Sequence, residues 1–409
     1  MTAEQPGHSI FDRVKKTIAT IEPELIDLRV ELHQIPETGL DLPQTNTLLR
    51  SHFETLGLEI RDAQNTSGFT ALLRGGIETE GHRPLVLLRA DMDGLPVTED
   101  THLSWASTNG NMHGCGHDMH MTAAVGAARA LVEVKDQLAG DVVFFLQPGE
   151  EGDNGAQHLM DEGLLEIDGR LPDHAYSLHV WSANYPAKSI TARPGPLMAS
   201  SDIITLTVKG KGGHGSAPHL SVDPIPAIAE MITQSQVLIS REFNIFDPVV
   251  VSCGKLSAGN AANVIAETAT AEFTVRTFSA PIRARLLHHL SRTFNGIAQA
   301  HGVECVIDIE ELYPVTYNDP DEYRYASSLI AQRFPHRWSE LEYPVGAAED
   351  FSKVLQKIPG VFVFVSAVPE GMDHNSVPFN HAPGAIYDSA SIKDCAQILA
   401  DLALGRLVH

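Results

Sequence analysis

The residues best suited to chemistry lie in Asn111-Met-His-Gly-Cys-Gly-His-Asp-Met-His120, where glycines flank a thiol and an imidazole two positions apart. Turn glycines let closely spaced side chains converge. A thiolate and a neutral imidazole are both strong ligands for zinc and similar borderline ions, and metal binding would deprotonate the thiol. Cys115 and His117 are therefore candidate ligands, although His-rich turns also arise without a catalytic role.

A second group stands at Gln147-Pro-Gly-Glu-Glu-Gly152, directly after an apolar run that reads as a strand. A loop at the carboxyl end of a strand is the usual functional location in α/β sheets. Two adjacent carboxylates divide their labour readily: one ligates a metal while the other faces the attacking water as a general base. The plain alternative for any Glu-Glu pair is a solvated acidic turn. His179 sits in Tyr176-Ser-Leu-His-Val-Trp181 and His381 in Phe379-Asn-His-Ala-Pro383; either alone is more often a structural histidine. Asp91 and Asp93, in Arg89-Ala-Asp-Met-Asp-Gly-Leu-Pro96, close another strand. Alternation puts them on one side, where one of them can orient a metal-bound histidine.

These side chains need a scaffold. Phe11, Val14, Ile18, Ile21, Leu25, Leu28 and Leu32 recur at steps of three and four, the period of an amphipathic helix, which Pro23 is expected to kink or split. Short β-rich runs follow at 85–88, 142–146 and 175–180, with helix-like stretches such as 121–138 between them, and this alternation reads as an α/β layer. From about Asp202 the rhythm becomes strand (203–208), helix (224–240), strand (249–256), strand (269–276), helix (282–301), strand (304–309). That is the β-α-β-β-α-β order of a ferredoxin-like unit. The apolar run 361–365 suits a central strand and returns the pattern to the first layer. The expected organisation is a discontinuous first domain, 1–195 and 313–409, interrupted by an inserted domain at 196–312.

Composition sets outer bounds. At 409 residues, 43% hydrophobic and 20% charged, the chain has the make-up of an ordinary globular protein large enough for two cores. A formal net charge of −23 and the lack of any Lys/Arg-rich run argue against nucleic acid as a partner. Residues Met1 to Lys16 lack the apolar stretch of a signal peptide, and no apolar run reaches membrane-spanning length. Cys115, Cys253, Cys305 and Cys395 are too scattered for a disulfide framework, which fits a reducing cytoplasm.

Taken in order along the chain, the motifs resemble the M20 family of metallopeptidases, most closely its amidohydrolase branch of hippurate hydrolases, aminoacylases and auxin-conjugate hydrolases. Besides the segments above, the resemblance is carried by Leu32-His-Gln-Ile-Pro-Glu37, Gly210-Lys-Gly-Gly-His-Gly215, Asn263-Val-Ile265 and Ala348-Glu-Asp-Phe351, and it spans nearly the whole chain. It implies an α/β catalytic domain with a mixed sheet, flanking helices and two divalent metal ions. Zinc is the first expectation for the metal, with manganese, cobalt or nickel also compatible with the donor set. Cys115 would bridge the ions, Glu151 and His381 would complete one site, His117 and His179 the other, and Glu150 would be the base. The inserted α+β domain would act as lid and homodimerisation domain. From it His214 would reach the partner subunit's active site, while Asn263 and Arg276 would bind substrate.

Two departures, Gly94 where the branch often has Ala and a less acidic run at Ala382-Pro-Gly-Ala-Ile-Tyr-Asp388, touch no expected ligand. The expected activity is hydrolysis of N-acyl-L-amino acids by a metal-activated water, with a dipeptidase or carboxypeptidase of the same family as the nearest alternative. Three other classes are open to the residues: a dinucleotide-binding enzyme built on Gly210-Lys-Gly-Gly-His-Gly215, a hydrolase with Cys115 as covalent nucleophile, and a non-catalytic metal-dependent binding protein.

Overall fold

A computed structural model describes residues 9–408. The first half of the Met1–Lys16 stretch, and with it the start of the first expected domain segment, lies outside the described residues. Contacts divide the chain into two units. One comprises the described residues up to Gly195 with Tyr317–Glu342 and Lys353 onward; the other comprises Pro196–Thr316 and Tyr343–Ser352. The short segment Tyr343–Ser352 groups with the second unit rather than with the carboxyl-terminal segment expected to hold it. Its backbone explains why: Ala199 N–H donates to the Val345 and Ala347 carbonyls, and Val345 N–H donates to that of Leu197.

The first unit is built on an eight-stranded mixed sheet. Its centre is four parallel strands in the order Asp141–Gln147, Leu85–Asp91, His174–Trp181 and Gly360–Ser366. Nearly every residue in them is buried, as continuous apolar runs covered on both faces should be. Antiparallel strands extend both flanks, with Phe69–Leu73 pairing on one side and Ile190–Ala192 on the other. The helices Ile10–His33, His117–Val132 and Ser391–Leu407 pack together at the core. They meet so closely at Gly126 that a Cβ there would stand 2.9 Å from both Ala396 and Leu25. The first helix runs unbroken through Pro23. Proline removes one N–H from the ladder, and burial of Val14, Ile18, Ile21, Leu25, Leu28 and Leu32 on one stripe outweighs that loss.

The second unit has the β-α-β-β-α-β order read from the sequence: Ser201–Lys209, Pro224–Glu242, Val249–Ala258, Thr268–Thr277, Ala280–His301 and Glu304–Tyr313. Its four strands form one antiparallel sheet in which the first and third are central. Strict alternation of buried and part-exposed residues along Thr268–Thr277 buries Phe273 and Val275 among the helix residues Leu290 and Phe294 and leaves Arg276 on the other face.

Candidate metal centre

Three of the parallel strands end at one edge of the sheet, and each delivers part of the site. Leu85–Asp91 runs into Asp93, Asp141–Gln147 into the turn of Glu150 and Glu151, and His174–Trp181 carries His179 near its end. The helix His117–Val132 begins at the same edge, so the turn before it places Cys115 and its first residue is His117. Gly116 makes that turn possible. Its φ is +88°, and a Cβ would come 2.4 Å from Val180 Cγ2.

His381 arrives from the carboxyl-terminal segment, itself at a positive φ of 71° and held by its N–H to the Gly114 carbonyl at 2.8 Å. Backbone strain of this kind persists only where the surroundings over-determine it. Here Asn380 does so, donating to the Cys115 and Val180 carbonyls and accepting from the N–H and hydroxyl of Ser182.

The donor atoms converge in groups of three. Those of Cys115, His117 and His179 lie within 4.8 Å of one another, as do those of Cys115, Glu151 and His381, and those of His117, Glu150 and Glu151. Cys115 Sγ is the shared member of the first two groups, 3.2 Å from His179 Nε2 and 3.2 Å from His381 Nε2. His117 and His179 each turn Nδ1 to a main-chain carbonyl, of Asp93 and Val180 respectively, at 2.8 Å. Donating there fixes the proton on Nδ1 and leaves the Nε2 lone pair facing the cluster. His117 Nε2 is buried and has no hydrogen-bond partner among the described residues. A cation is the natural partner for a lone pair so placed, and the thiol, imidazole and carboxylate donors fit a borderline divalent ion.

Electrostatics point the same way. Burial alone would lower His117, but Asp91, Asp93 and Glu151 reverse it and raise the ring, so that without a metal Nε2 holds a proton whose place a bound cation would take. The pocket thus favours positive charge. His179 is held well below its ordinary value by burial and by His120, which keeps it neutral and fit to ligate. Glu151 lies below the usual glutamate value because His381 and His117 outweigh burial. Burial and the carboxylates of Glu151, Glu150 and Asp91 push the Cys115 thiol well up. This is the opposite of the electropositive setting that activates a cysteine nucleophile.

Beyond the candidate donors, the carboxylate of Asp93 accepts the N–H groups of Glu150 and Glu151, its Oδ1 stands 3.6 Å from His117 Nδ1, and its carbonyl makes the shorter contact with that ring. Several supporting residues were not singled out from the sequence. His120 donates Nδ1–H to Asp91 at 2.6 Å and accepts the Val180 N–H at 2.9 Å. Tyr387 donates its hydroxyl to the Gly114 carbonyl at 2.7 Å. His33, in the quoted Leu32-His-Gln-Ile-Pro-Glu37 segment, holds Asp118 beside His117.

The remaining expected residues lie in the second unit. His214 and Asn263 are brought together by the antiparallel pairing of Gly213–His214 with Val264–Ile265. The Ser216 hydroxyl lies 2.8 Å from His214 Nδ1, and the ring itself is exposed. Arg276 stands half-buried on its strand. Gly210–Gly215 leads into this hairpin and then a single 3₁₀ turn, not into a helix amino terminus, so it lacks the architecture that binds a dinucleotide phosphate.

The description "Peptidase family M20/M25/M40" matches residues 87–405. The chain belongs to this family. It is similar to thermostable carboxypeptidase 1 of Saccharolobus solfataricus, 31% identical over 98% of this chain and 97% of the relative. It is also similar to N-acetylcysteine deacetylase of Bacillus subtilis, 34% identical over 93% and 96%. Among solved structures, the Bacillus subtilis YXEP protein, described as a dinuclear metal-binding peptidase from the M20 family, superposes with a TM-score of 0.79 at 31% identity, covering 95% of this chain and 99% of that one. This M20 chain is thus a metal-dependent amide hydrolase that uses two divalent ions. Among the described residues, no helix is long and apolar enough to cross a membrane.

Proposed function

We propose that this enzyme hydrolyses the amide bond of N-acyl-L-amino acids, releasing a carboxylic acid and the free amino acid. The observation that carries the reading is the pair of three-donor groups joined at Cys115, with Glu150 beside them but outside both. In this reading Cys115, Glu151 and His381 would hold one ion, and Cys115, His117 and His179 would hold the other. When bound, the two ions supply Lewis acidity, which acidifies water and polarises the scissile carbonyl.

The protein supplies the rest. Glu150 takes a proton from the attacking water and returns it to the leaving amine. His214 donates a hydrogen bond to the developing oxyanion, and Asn263 and Arg276 bind the substrate, Arg276 gripping the α-carboxylate in a charge-assisted fork. His214 acts in the partner subunit's site, so the working form is a homodimer assembled through the inserted domain, which also serves as the lid. Zinc is the metal we favour, with manganese, cobalt and nickel compatible with the same donors.

The similarity to a deacetylase of an N-acetylated amino acid supports a small acyl group. The similarity to a carboxypeptidase supports a second reading, in which the acyl group is a peptide. The two share the bond cleaved, an amide whose nitrogen belongs to an amino acid with a free carboxylate. A panel of N-acyl amino acids, dipeptides and longer peptides, assayed on protein of known metal content, separates them. Preferred cleavage of N-acyl amino acids is expected; turnover confined to peptides would contradict the proposal.

A further inference from the structure

The main chain near the end of the strand His174–Trp181 is held by side chains. Pairing of this strand with Leu85–Asp91 ends at Leu88 and Tyr176, so Val180 lies beyond the last shared pair. Buried main-chain groups must be paired all the same. His120 Nε2 accepts the Val180 N–H at 2.9 Å, and the Val180 carbonyl accepts His179 Nδ1–H at 2.8 Å and Asn380 Nδ2–H at 3.0 Å. The main chain of one residue thus meets a candidate ligand, His179, and the residue that carries the turn of another, His381.

His120 is buried on the first turn of the helix His117–Val132. A main-chain N–H can only donate, so the Nε2 that faces Val180 carries a lone pair and the ring proton sits on Nδ1. From there it is donated to Asp91 Oδ1 at 2.6 Å. The other Asp91 oxygen accepts from the Arg89 guanidinium, whose Nε donates to Gln147 at 3.0 Å. Both nitrogens of His120 are therefore committed to protein partners. This decides between two readings of the ring, because Asp91, His117 and His120 also bring their donor atoms within 4.8 Å of one another. His120 has no spare lone pair for an ion there, and its part is to hold the main chain.

We propose that His120, fixed by Asp91, is a positioning residue: it sets the main chain of Val180 and, through it, one candidate ligand in each of the two three-donor groups joined at Cys115. Rotation of Val180 would take the acceptor from His179 Nδ1. It would also take one carbonyl from Asn380, which donates to that of Cys115 as well. His179 belongs to one group, and His381, carried on the turn of Asn380, belongs to the other. A single buried ring therefore acts on both, and it does so before an ion arrives, since every contact in the relay is made by protein atoms. Fully paired buried networks of this kind lose most when one member is removed. The inference rests on the ligand assignment above.

Two substitutions separate this role from simple packing. Glutamine brings an acceptor oxygen to the place of Nε2, whereas asparagine brings a donor nitrogen only to the place of Nδ1. His120→Gln therefore keeps the Val180 contact, and His120→Asn keeps the Asp91 contact. Zn2+ is titrated into the metal-free chains in competition with a chromophoric chelator, and thermal unfolding of the same metal-free samples is recorded. His120→Asn should bind both ions about 10–100-fold more weakly than wild type, and His120→Gln should lose less than about tenfold. Wild-type affinity in His120→Asn, or losses in the two variants that merely follow their metal-free stability, overturns the inference. So does a third tightly held ion that His120→Asn removes, since the ring would then be a ligand. Hydrogen exchange of the metal-free wild type needs no variant: the Val180 amide should be protected, and rapid exchange there would equally overturn the inference. A wild type that takes up no Zn2+ overturns the ligand assignment, and the inference with it.

Discussion

The carboxylate of Asp93 accepts the main-chain N–H of Glu150 at 3.1 Å, and its other oxygen accepts that of Glu151 at 3.0 Å. One side chain thus sets the turn on which both the proposed base and a proposed ligand stand, while its own carbonyl orients His117. Asp93→Asn replaces one acceptor oxygen with a donor and cannot satisfy both amides. Loss of such a supporting contact typically costs about 10–100-fold in metal affinity or activity. Metal titration and kcat of Asp93→Asn should both fall in that range; unchanged values would show that the turn holds itself.

Gly116 is a test of the ligand turn. Alanine there would sit at a positive φ and press its Cβ into Val180. Gly116→Ala should destabilise the fold by about 1–3 kcal/mol and weaken metal binding, because Cys115 and His117 flank it. Urea denaturation with and without added metal measures both effects.

A pH prediction follows from His33. Burial alone would lower this ring, but Asp118 on one nitrogen and Glu99 on the other raise it to about 9, against an ordinary value of 6.5. The protonated form is therefore favoured in the folded state. Its contribution is complete below about pH 6.5 and is lost as pH rises through about 9. Denaturation of wild type and His33→Gln across pH 6–10 should show the wild type losing of order 2–3 kcal/mol more than the variant over that window.

Action of His214 across a dimer predicts complementation. Inactive Glu150→Gln chains mixed with inactive His214→Ala chains should regain activity in hybrid dimers, since one site then holds both functional groups. Hybrids that form, as shown by native mass spectrometry, yet stay inactive would argue that His214 acts within its own chain.

Much of this architecture was legible because its signals are local. The central strands announce themselves as apolar runs, since both faces are covered, and the second unit through clean alternation and two long amphipathic helices. The helix read as beginning near Met121 starts at His117, because its first turn is polar yet buried and breaks the apolar pattern. Short edge strands such as Glu59–Asp62 and Trp338–Glu340 are largely exposed and carry too few residues to show a period. Within the site, Cys115, His117 and the Glu150–Glu151 pair stood out in glycine-rich turns, whereas His179 and His381 gained weight only beside the other motifs. The clamp by Asn380 and the hold of Asp93 on Glu150 did not, because each depends on segments far apart in sequence meeting in space.

The central claim is that Glu150 moves the proton in amide hydrolysis at a centre held by Cys115, His117, Glu151, His179 and His381. The most direct measurement is turnover of an N-acyl amino acid by Glu150→Gln with bound metal quantified in the same sample. Glutamine keeps the shape of the side chain but cannot accept the proton. Two ions per chain with kcat reduced by at least a few hundred-fold is the predicted result, general-base catalysis being worth roughly 10²–10⁴. Near-normal turnover by the metal-loaded variant would contradict the account.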